Sequence, residues 1–249
     1  MITLLFLFLI GLFAGTVDAI AGGGGLITLP VLLSLGMPPS IAFGTNKLQG
    51  VTGTLVATLK YHRHGFIAIK KLYPCIITGM AGSILGVIAV EAISGDILRK
   101  IIPGILAIIL LYSVCSPRMG QEDHPPRMNT LVFYLISGFA LGFYDGFFGP
   151  GTGSFWVFAL TFFLGLNLIK ATACTKVFNL NSSLVATICF GIGGHIDYRI
   201  GLVMAAGQLI GGRLGAHLAI TKGARLIRPI FAGVVSVTIL TLVYQLQML

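Results

Sequence analysis

Two aspartates and two lysines sit in stretches of sequence that are otherwise apolar. Asp18 precedes the run Gly22-Gly-Gly-Gly25, and Lys47 follows within Thr45-Asn-Lys-Leu-Gln49. Asp145 precedes Gly149-Pro-Gly-Thr-Gly153, and Lys176 follows within Thr175-Lys-Val-Phe-Asn179. A charge in mid-span costs at least ~2.5 kcal/mol, so one that is kept there is by default a functional candidate. Glycine clusters interrupt a helix, and irregular backbone at membrane depth survives only buried in protein or lining a wet cavity. A helix that restarts after the break aims free N–H groups and the positive end of its dipole at the tip. The chemistry that fits these residue types is capture of an anion. The expected binding set is Gly22, Gly23, Gly24, Gly25, Asn46, Lys47, Gln49, Gly149, Gly151, Thr152, Gly153, Lys176 and Asn179. No Gly-Lys-[Ser/Thr] follows Gly25 or Gly153, which excludes a phosphate loop.

The carboxylates are harder to assign. A carboxylate repels an anion, so Asp18 and Asp145 are expected as supports, helix caps or proton carriers. Two pairings, Lys47 with Asp18 and Lys176 with Asp145, would be the purely structural reading of these charges. Amides and hydroxyls near the lysines can donate to an oxyanion without adding charge. Arg213 and His217 form an i, i+4 pair that could line a vestibule or reach the interface. His62-Arg-His64 has metal-compatible spacing but nothing to complete a site, and reads as a basic loop. Ser154 lacks a suitably placed histidine base, so catalysis is not expected. No cofactor and no metal are expected either.

The elements that position these residues follow from composition. Hydrophobic residues make up 56% of the 249 and charged residues 9%, with mean hydropathy +0.98. Soluble domains carry about 25% charged residues, so the chain reads as an integral membrane protein. Its apolar runs are continuous and do not alternate, which predicts helices and excludes a barrel. The net charge of +9 lies mostly between apolar runs, where it points to topology and lipid headgroups, not nucleic acid. Cys75, Cys115, Cys174 and Cys189 show no pairing pattern, and no disulfide is expected. Residues 1–20 lack a basic leader segment and are expected to stay in the mature fold.

The pattern predicts a helix at 2–20, a break, a short piece at 26–36 stopped by Pro38-Pro39, and helices near 41–60, 72–90 and 97–114. The polar stretch 116–130 separates this N-terminal repeat, 1–115, from a C-terminal repeat, 131–249. The second repeat follows the same plan: 131–148, a break, 154–165, then helices near 171–193, 199–220 and 226–246. Gly11, Gly15 and Asp18 match Gly138, Gly142 and Asp145 at a shift of about 127 residues; Gly36, Ala42 and Lys47 match Gly165, Ala171 and Lys176 at nearly the same shift. The predicted class is an all-α polytopic membrane protein of two repeats, each a broken-helix hairpin plus three spans. Basic residues choose the topology. If each break is a hairpin, the halves are inverted. Lys60, Arg63, Lys70, Lys71, Arg118, Arg127, Lys170, Lys222, Arg225 and Arg228 then share the cytoplasmic side, against Arg99, Lys100 and Arg199 outside. The parallel alternative gives no such bias, so the inverted arrangement is preferred, with both termini outside.

Gly15-Thr-Val-Asp-Ala-Ile-Ala-Gly-Gly-Gly-Gly25 with Gly44-Thr-Asn-Lys-Leu-Gln49 resembles a signature of the sulfite exporter TauE/SafE family, also called the toluene sulfonate uptake permease family. Asp145-Gly-Phe-Phe-Gly-Pro-Gly-Thr-Gly153 and Ala173-Cys-Thr-Lys-Val-Phe-Asn179 are similar to its second signature. The resemblance spans essentially the whole chain. It implies a multi-pass inner-membrane transporter for sulfite, sulfonates or related organic anions, with substrate and direction open. The expected reading is secondary transport, coupled to protons and working by alternating access; a passive anion channel is the alternative. The expected partners are a small anion and the bilayer, with protons as the coupling ion and a homodimer left open.

Overall fold

A computed structural model describes residues 2–98, 122–223 and 226. Among the described residues the regular structure is entirely helical: α1 (Ile2–Ala21), α2 (Gly24–Ser34), α3 (Pro39–Arg63), α4 (Tyr73–Glu91), α5 (Thr130–Phe147), α6 (Thr152–Leu164), α7 (Leu168–Ile192) and α8 (Tyr198–Lys222), with a 3-10 turn at Ile69–Lys71. The helices expected near 97–114 and 226–246 lie outside the described residues, apart from Ile97, Leu98 and Leu226.

Local chemistry sets the helix ends. The chain leaves α2 through Gly36, at φ +80°, and Pro39 opens α3 as its first residue, where a proline loses no intrahelical bond. Asn129 caps α5, Asn167 caps α7 and Asp197 caps α8, each side chain accepting a backbone N–H of the first turn. The Asn167 cap starts α7 three residues before the expected 171, and α3 gains a residue or more at both ends over the expected 41–60. The short pieces α2 and α6 have 11 and 13 residues. At ~1.5 Å per residue, each is too short to cross a ~30 Å hydrocarbon core.

Among the described residues, three helices are long and apolar enough to cross a membrane: Thr3–Ala21, Tyr73–Glu91 and Thr130–Phe147. Their outer faces carry Leu5, Phe6, Phe13, Ile77, Ile88 and Ile136, all exposed. Such continuous apolar surface is costly in water and native to lipid. α3, α7 and α8 have 25 residues each, about 37 Å. α3 and α7 are less apolar because they carry the buried polar residues of the interior. The chain is therefore a multi-pass membrane protein.

Packing runs between the halves. α1 lies along α8, and α4 lies along α5. In the first seam Gly11 faces the Met204 carbonyl, and Gly207, Gly211 and Gly215 face the carbonyls of Phe8, Leu12 and Thr16. In the second, Gly138 faces Cys75, Gly142 faces Gly79 and Gly146 faces Ser83. Numbers rise together along both seams, so the paired helices run in the same direction. Any Cβ at these glycines would meet backbone at well under 3 Å; their absence is what lets the helices approach. The polar stretch between the halves is tied down where it is described. His124 N–H donates to the Gly165 carbonyl (2.7 Å), Arg127 N–H donates to that of Phe163 (2.8 Å), and the Arg127 guanidinium lies 4.4 Å over the Phe162 ring. Cys75 and Cys174 are buried and Cys189 half-buried, all as free thiols.

Candidate functional site

The two glycine breaks meet. After α1 the chain turns through Gly22 and Gly23, at φ +69° and +137°, and restarts as α2. After α5 it turns through Gly149 and Gly151, at φ +92° and +84°, and restarts as α6. Only glycine takes such angles without steric cost. A Cβ on Gly22 would lie 2.7 Å from the Gly153 backbone, and one on Gly153 would lie 2.7 Å from the Gly22 Cα. Ser154 Oγ donates to the Gly22 carbonyl (3.1 Å), closing the contact. At this point the glycines serve approach of backbone to backbone, and Gly22 is covered by its counterpart break.

Beside the contact lies a cavity of about 50 Å³. One water needs about 10–15 Å³ of such space, so the cavity suits one small ion or a few waters. Of the residues expected to bind or support an anion, Asp18, Gly23, Gly24, Gly25, Asn46, Lys47, Gln49, Asp145, Gly149, Gly151, Thr152, Gly153 and Asn179 line it. Gly22 and Lys176 do not. Lys176 is completely buried behind Asp18.

The ion pairs are crossed between the halves. Lys47 Nζ lies 2.8 Å from Asp145 Oδ1, both side chains 5% exposed. Lys176 Nζ lies 3.0 Å from Asp18 Oδ2 and also donates to the Asp18 carbonyl. The pairings considered as the purely structural alternative, Lys47 with Asp18 and Lys176 with Asp145, are not the ones formed. The reason is the contact of the two breaks, which places each acidic helix end beside the lysine helix of the other half. Lys47 reaches under the second break, where a Cβ on Gly149 would sit 2.6 Å from Nζ.

The carboxylates are held differently. Asp18 Oδ1 accepts the N–H groups of Gly23 (3.1 Å) and Gly24 (3.2 Å), and so caps α2. Among the described residues no backbone N–H donates to Asp145; Oδ2 takes the Ser182 hydroxyl at 2.5 Å. The polar set on α3 is braced by α2: Asn46 Oδ1 accepts from Thr28 Oγ1 (2.5 Å) and Gln49 Nε2 (2.9 Å). Buried Gln49 Oε1 and Asn179 Oδ1 have no hydrogen-bond partner.

The structure adds residues that the sequence reading did not select. Thr28 orders Asn46 and Gln49, and Gly50, Thr54 and Gln208 complete the lining, together with Ser183, which helical spacing already places on the face of Lys176 and Asn179. A buried amide between Gly207 and Gly211 was a usable signal for Gln208. Gly50 was discoverable as the register mate of Asn179. Arg213 and His217 are exposed on α8, away from the cavity lining. His64 Nδ1 is 2.8 Å from the Lys60 carbonyl, an ordinary helix-end contact. Among the described residues no group of three His, Cys, Asp or Glu side chains could hold a metal.

Comparison with known proteins matches residues 7–242 to the family model described as sulfite exporter TauE/SafE. A probable membrane transporter protein of Haemophilus influenzae is 45% identical over 223 residues, covering 90% of this chain and 88% of that protein. The probable membrane transporter protein YfcA of Escherichia coli is 41% identical over 239 residues, 96% of this chain and 89% of that protein. A Sinorhizobium protein described in the same way is 42% identical over 227 residues, covering 91% and 87% of the two chains. No solved structure matches this chain.

Proposed function

This chain belongs to the sulfite exporter TauE/SafE family of membrane transporters, and from that premise we propose that it is a secondary transporter for a small sulfur-containing or organic anion of the sulfite and sulfonate class. The observation that carries the reading is the convergence of two helix N-termini and a buried lysine on one small cavity where the breaks touch. Helix N-termini offer N–H groups and partial positive charge to an anion. Lys47 supplies full charge, and Asn46, Gln49 and Asn179 supply amides. Lys176 acts from behind the cavity, holding Asp18 in place as the α2 cap.

The repeats, taken as 1–115 and 131–249, are inverted in this reading, and the protein works by alternating access with protons as the coupling ion. α1 runs with α8 and α5 runs with α4, which is compatible with inverted halves. The linker contact of Asp123 with Lys170 lies at a helix end that the basic-residue bias puts inside, and Lys60, near the end of α3, approaches the Arg213 carbonyl of α8. The expected location is the cell inner membrane.

The test is counterflow of labelled sulfite in proteoliposomes. Saturable, pH-dependent exchange that disappears in Lys47→Ala, with the variant still monodisperse, is the expected result. Unsaturable conductance would replace the carrier with a passive channel. Unchanged sulfite affinity in both Lys47→Ala and Lys176→Ala would remove the site assignment.

A further inference from the structure

The two carboxylates of the cavity have different partners, and the difference separates their roles. Asp18 is held by main chain on one oxygen, through the Gly23 and Gly24 N–H groups at the start of α2, and by Lys176 on the other. The two N–H groups cannot leave without unwinding the start of α2. Asp145 is held by side chains alone, Lys47 on one oxygen and Ser182 on the other. Both can rotate away. The N-terminus of α6, unlike that of α2, has no carboxylate on it; its cap is Gly151, with no side-chain bond.

Charge balance then constrains binding. The charged lining consists of Asp18, Lys47 and Asp145, and Lys176 stands directly behind Asp18. Two cations and two anions make the enclosed set neutral. A monoanion added to it leaves one uncompensated negative charge in a buried space, which is strongly unfavourable. One added proton restores neutrality. The groups facing Asp145 are few. α3 presents Lys47, α7 presents Ser182, and α4 presents Ser83, which donates to the Ser182 carbonyl (2.9 Å). On its own helix, the Tyr144 hydroxyl is committed to the Pro150 carbonyl (2.6 Å). α6 carries no titratable side chain at its start, and Asp18 across the cavity is held by Lys176.

We propose that Asp145 is the group that takes up the coupling proton. The cargo anion replaces its carboxylate at Lys47, so that one proton moves with each monoanion while Asp18 stays ionised as a cap. The proposal rests on the anion-transport reading above. In the bound state the neutral carboxyl of Asp145 keeps Ser182 as a partner. The anion lies between Lys47 and the start of α6, where the N–H groups of Thr152, Ser154 and Phe155 are engaged by Gly149 and Gly151 and that of Gly153 faces the cavity. A dianion would need two protons and finds only one mobile carboxylate, so the site selects singly charged forms.

Methanesulfonate is the suitable probe, because its own acid group is ionised at every pH used and any proton taken up belongs to the protein. Calorimetric titration of the purified protein, in buffers of different ionisation enthalpy, counts that proton. The wild type is expected to take up one proton per anion, and its affinity to fall tenfold per pH unit on the alkaline side. Asp145→Asn is expected to bind with no proton uptake and with affinity independent of pH. Asp18→Asn/Lys176→Met, which removes one charge of each sign and keeps the set neutral, is expected to keep proton uptake. Binding without proton uptake in the wild type overturns the proposal, as does uptake that persists in Asp145→Asn or is lost in Asp18→Asn/Lys176→Met. If Asp145→Asn fails to fold, the wild type and the paired variant still decide the matter. If neither methanesulfonate nor sulfite binds the wild type, the anion-transport reading itself falls and this proposal with it.

Discussion

Lys176→Met leaves the Asp18 carboxylate without its cation. Breaking a buried pair from one side typically costs ~3–5 kcal/mol, whereas removing both charges together is often close to neutral. Here the two partners are unequally enclosed: the Lys176 side chain is 0% exposed and that of Asp18 is 19% exposed. In Lys176→Met the orphaned carboxylate keeps two backbone N–H donors, so the loss belongs near the lower end, about 3 kcal/mol. In Asp18→Asn a fully enclosed ammonium keeps only neutral acceptors, so the loss belongs near the upper end, about 5 kcal/mol. The double variant, with an amide still able to cap α2, regains most of either loss. Unfolding free energies in mixed micelles, measured for the four members of the cycle, give the coupling directly. The crossed pairing also requires that Asp145→Asn fail to rescue Lys176→Met. Rescue by Asp145→Asn, with simple additivity for Asp18→Asn, would refute the crossed arrangement and restore pairing within each half.

Other perturbations test separate parts of the argument. Gly142→Leu places a Cβ 2.4 Å from the Gly79 carbonyl, so it is expected to cost more than the usual ~1–3 kcal/mol of overpacking; loss of a monodisperse peak in size exclusion checks it. Gly50→Ala is the contrast, because nothing lies within 4 Å of a Cβ there and the residue lines the cavity. It should fold at least as well as the wild type, gaining up to about 1 kcal/mol from helix propensity, and should raise the KM for transport. Thr28→Val removes the hydroxyl that bonds Asn46 and Gln49, with an expected loss of about 1–3 kcal/mol and weaker anion binding by calorimetry. Asp123 is held below the ordinary carboxylate value, chiefly by the hydrogen bond from Lys170 and then by the Asn167 N–H. With the folded value below the unfolded one, its contribution is complete above the unfolded value and disappears as pH falls through the folded value. Melting curves of wild type and Asp123→Asn should therefore converge in acid and separate near neutrality; identical curves at all pH values would remove the Asp123–Lys170 tie.

Much of the helix layout was legible because three strong signals coincided: continuous apolar runs, glycine breaks and proline or asparagine boundaries. The site was legible through its cost. Charges and glycines in mid-span are expensive enough that their positions stand out in a single sequence. What did not show was partnership. Lys47 and Asp145 are far apart along the chain, and no local rule brings them together. The matching of Gly11, Gly15 and Asp18 to Gly138, Gly142 and Asp145 revealed two similar halves but not how one half lies on the other. That depends on the glycine seams α1–α8 and α4–α5, whose four-residue spacing announces close packing without naming a partner. Thr28 was missed for a related reason. A threonine in an apolar helix commonly bonds its own preceding turn, and Thr28 does so with the Gly24 carbonyl (3.1 Å) as well as with Asn46.

The crossed pairs give the site a mechanical property as well as a chemical one. Each lysine belongs to one half and is neutralised by the other, so no movement of the halves apart can leave both sets of charges satisfied. A pair opened without replacement strands a charge in a medium of low dielectric. An anion at Lys47 together with a proton on Asp145 removes that penalty on one side of the contact only. The Lys176–Asp18 pair, which does not depend on cargo, continues to hold the opposite side. Rearrangement of the contact with cargo and proton bound is therefore less costly than rearrangement with either one alone. If Asp145 is the proton acceptor proposed above, two crossed ion pairs, one exchangeable and one permanent, make movement of the breaks conditional on both species being present.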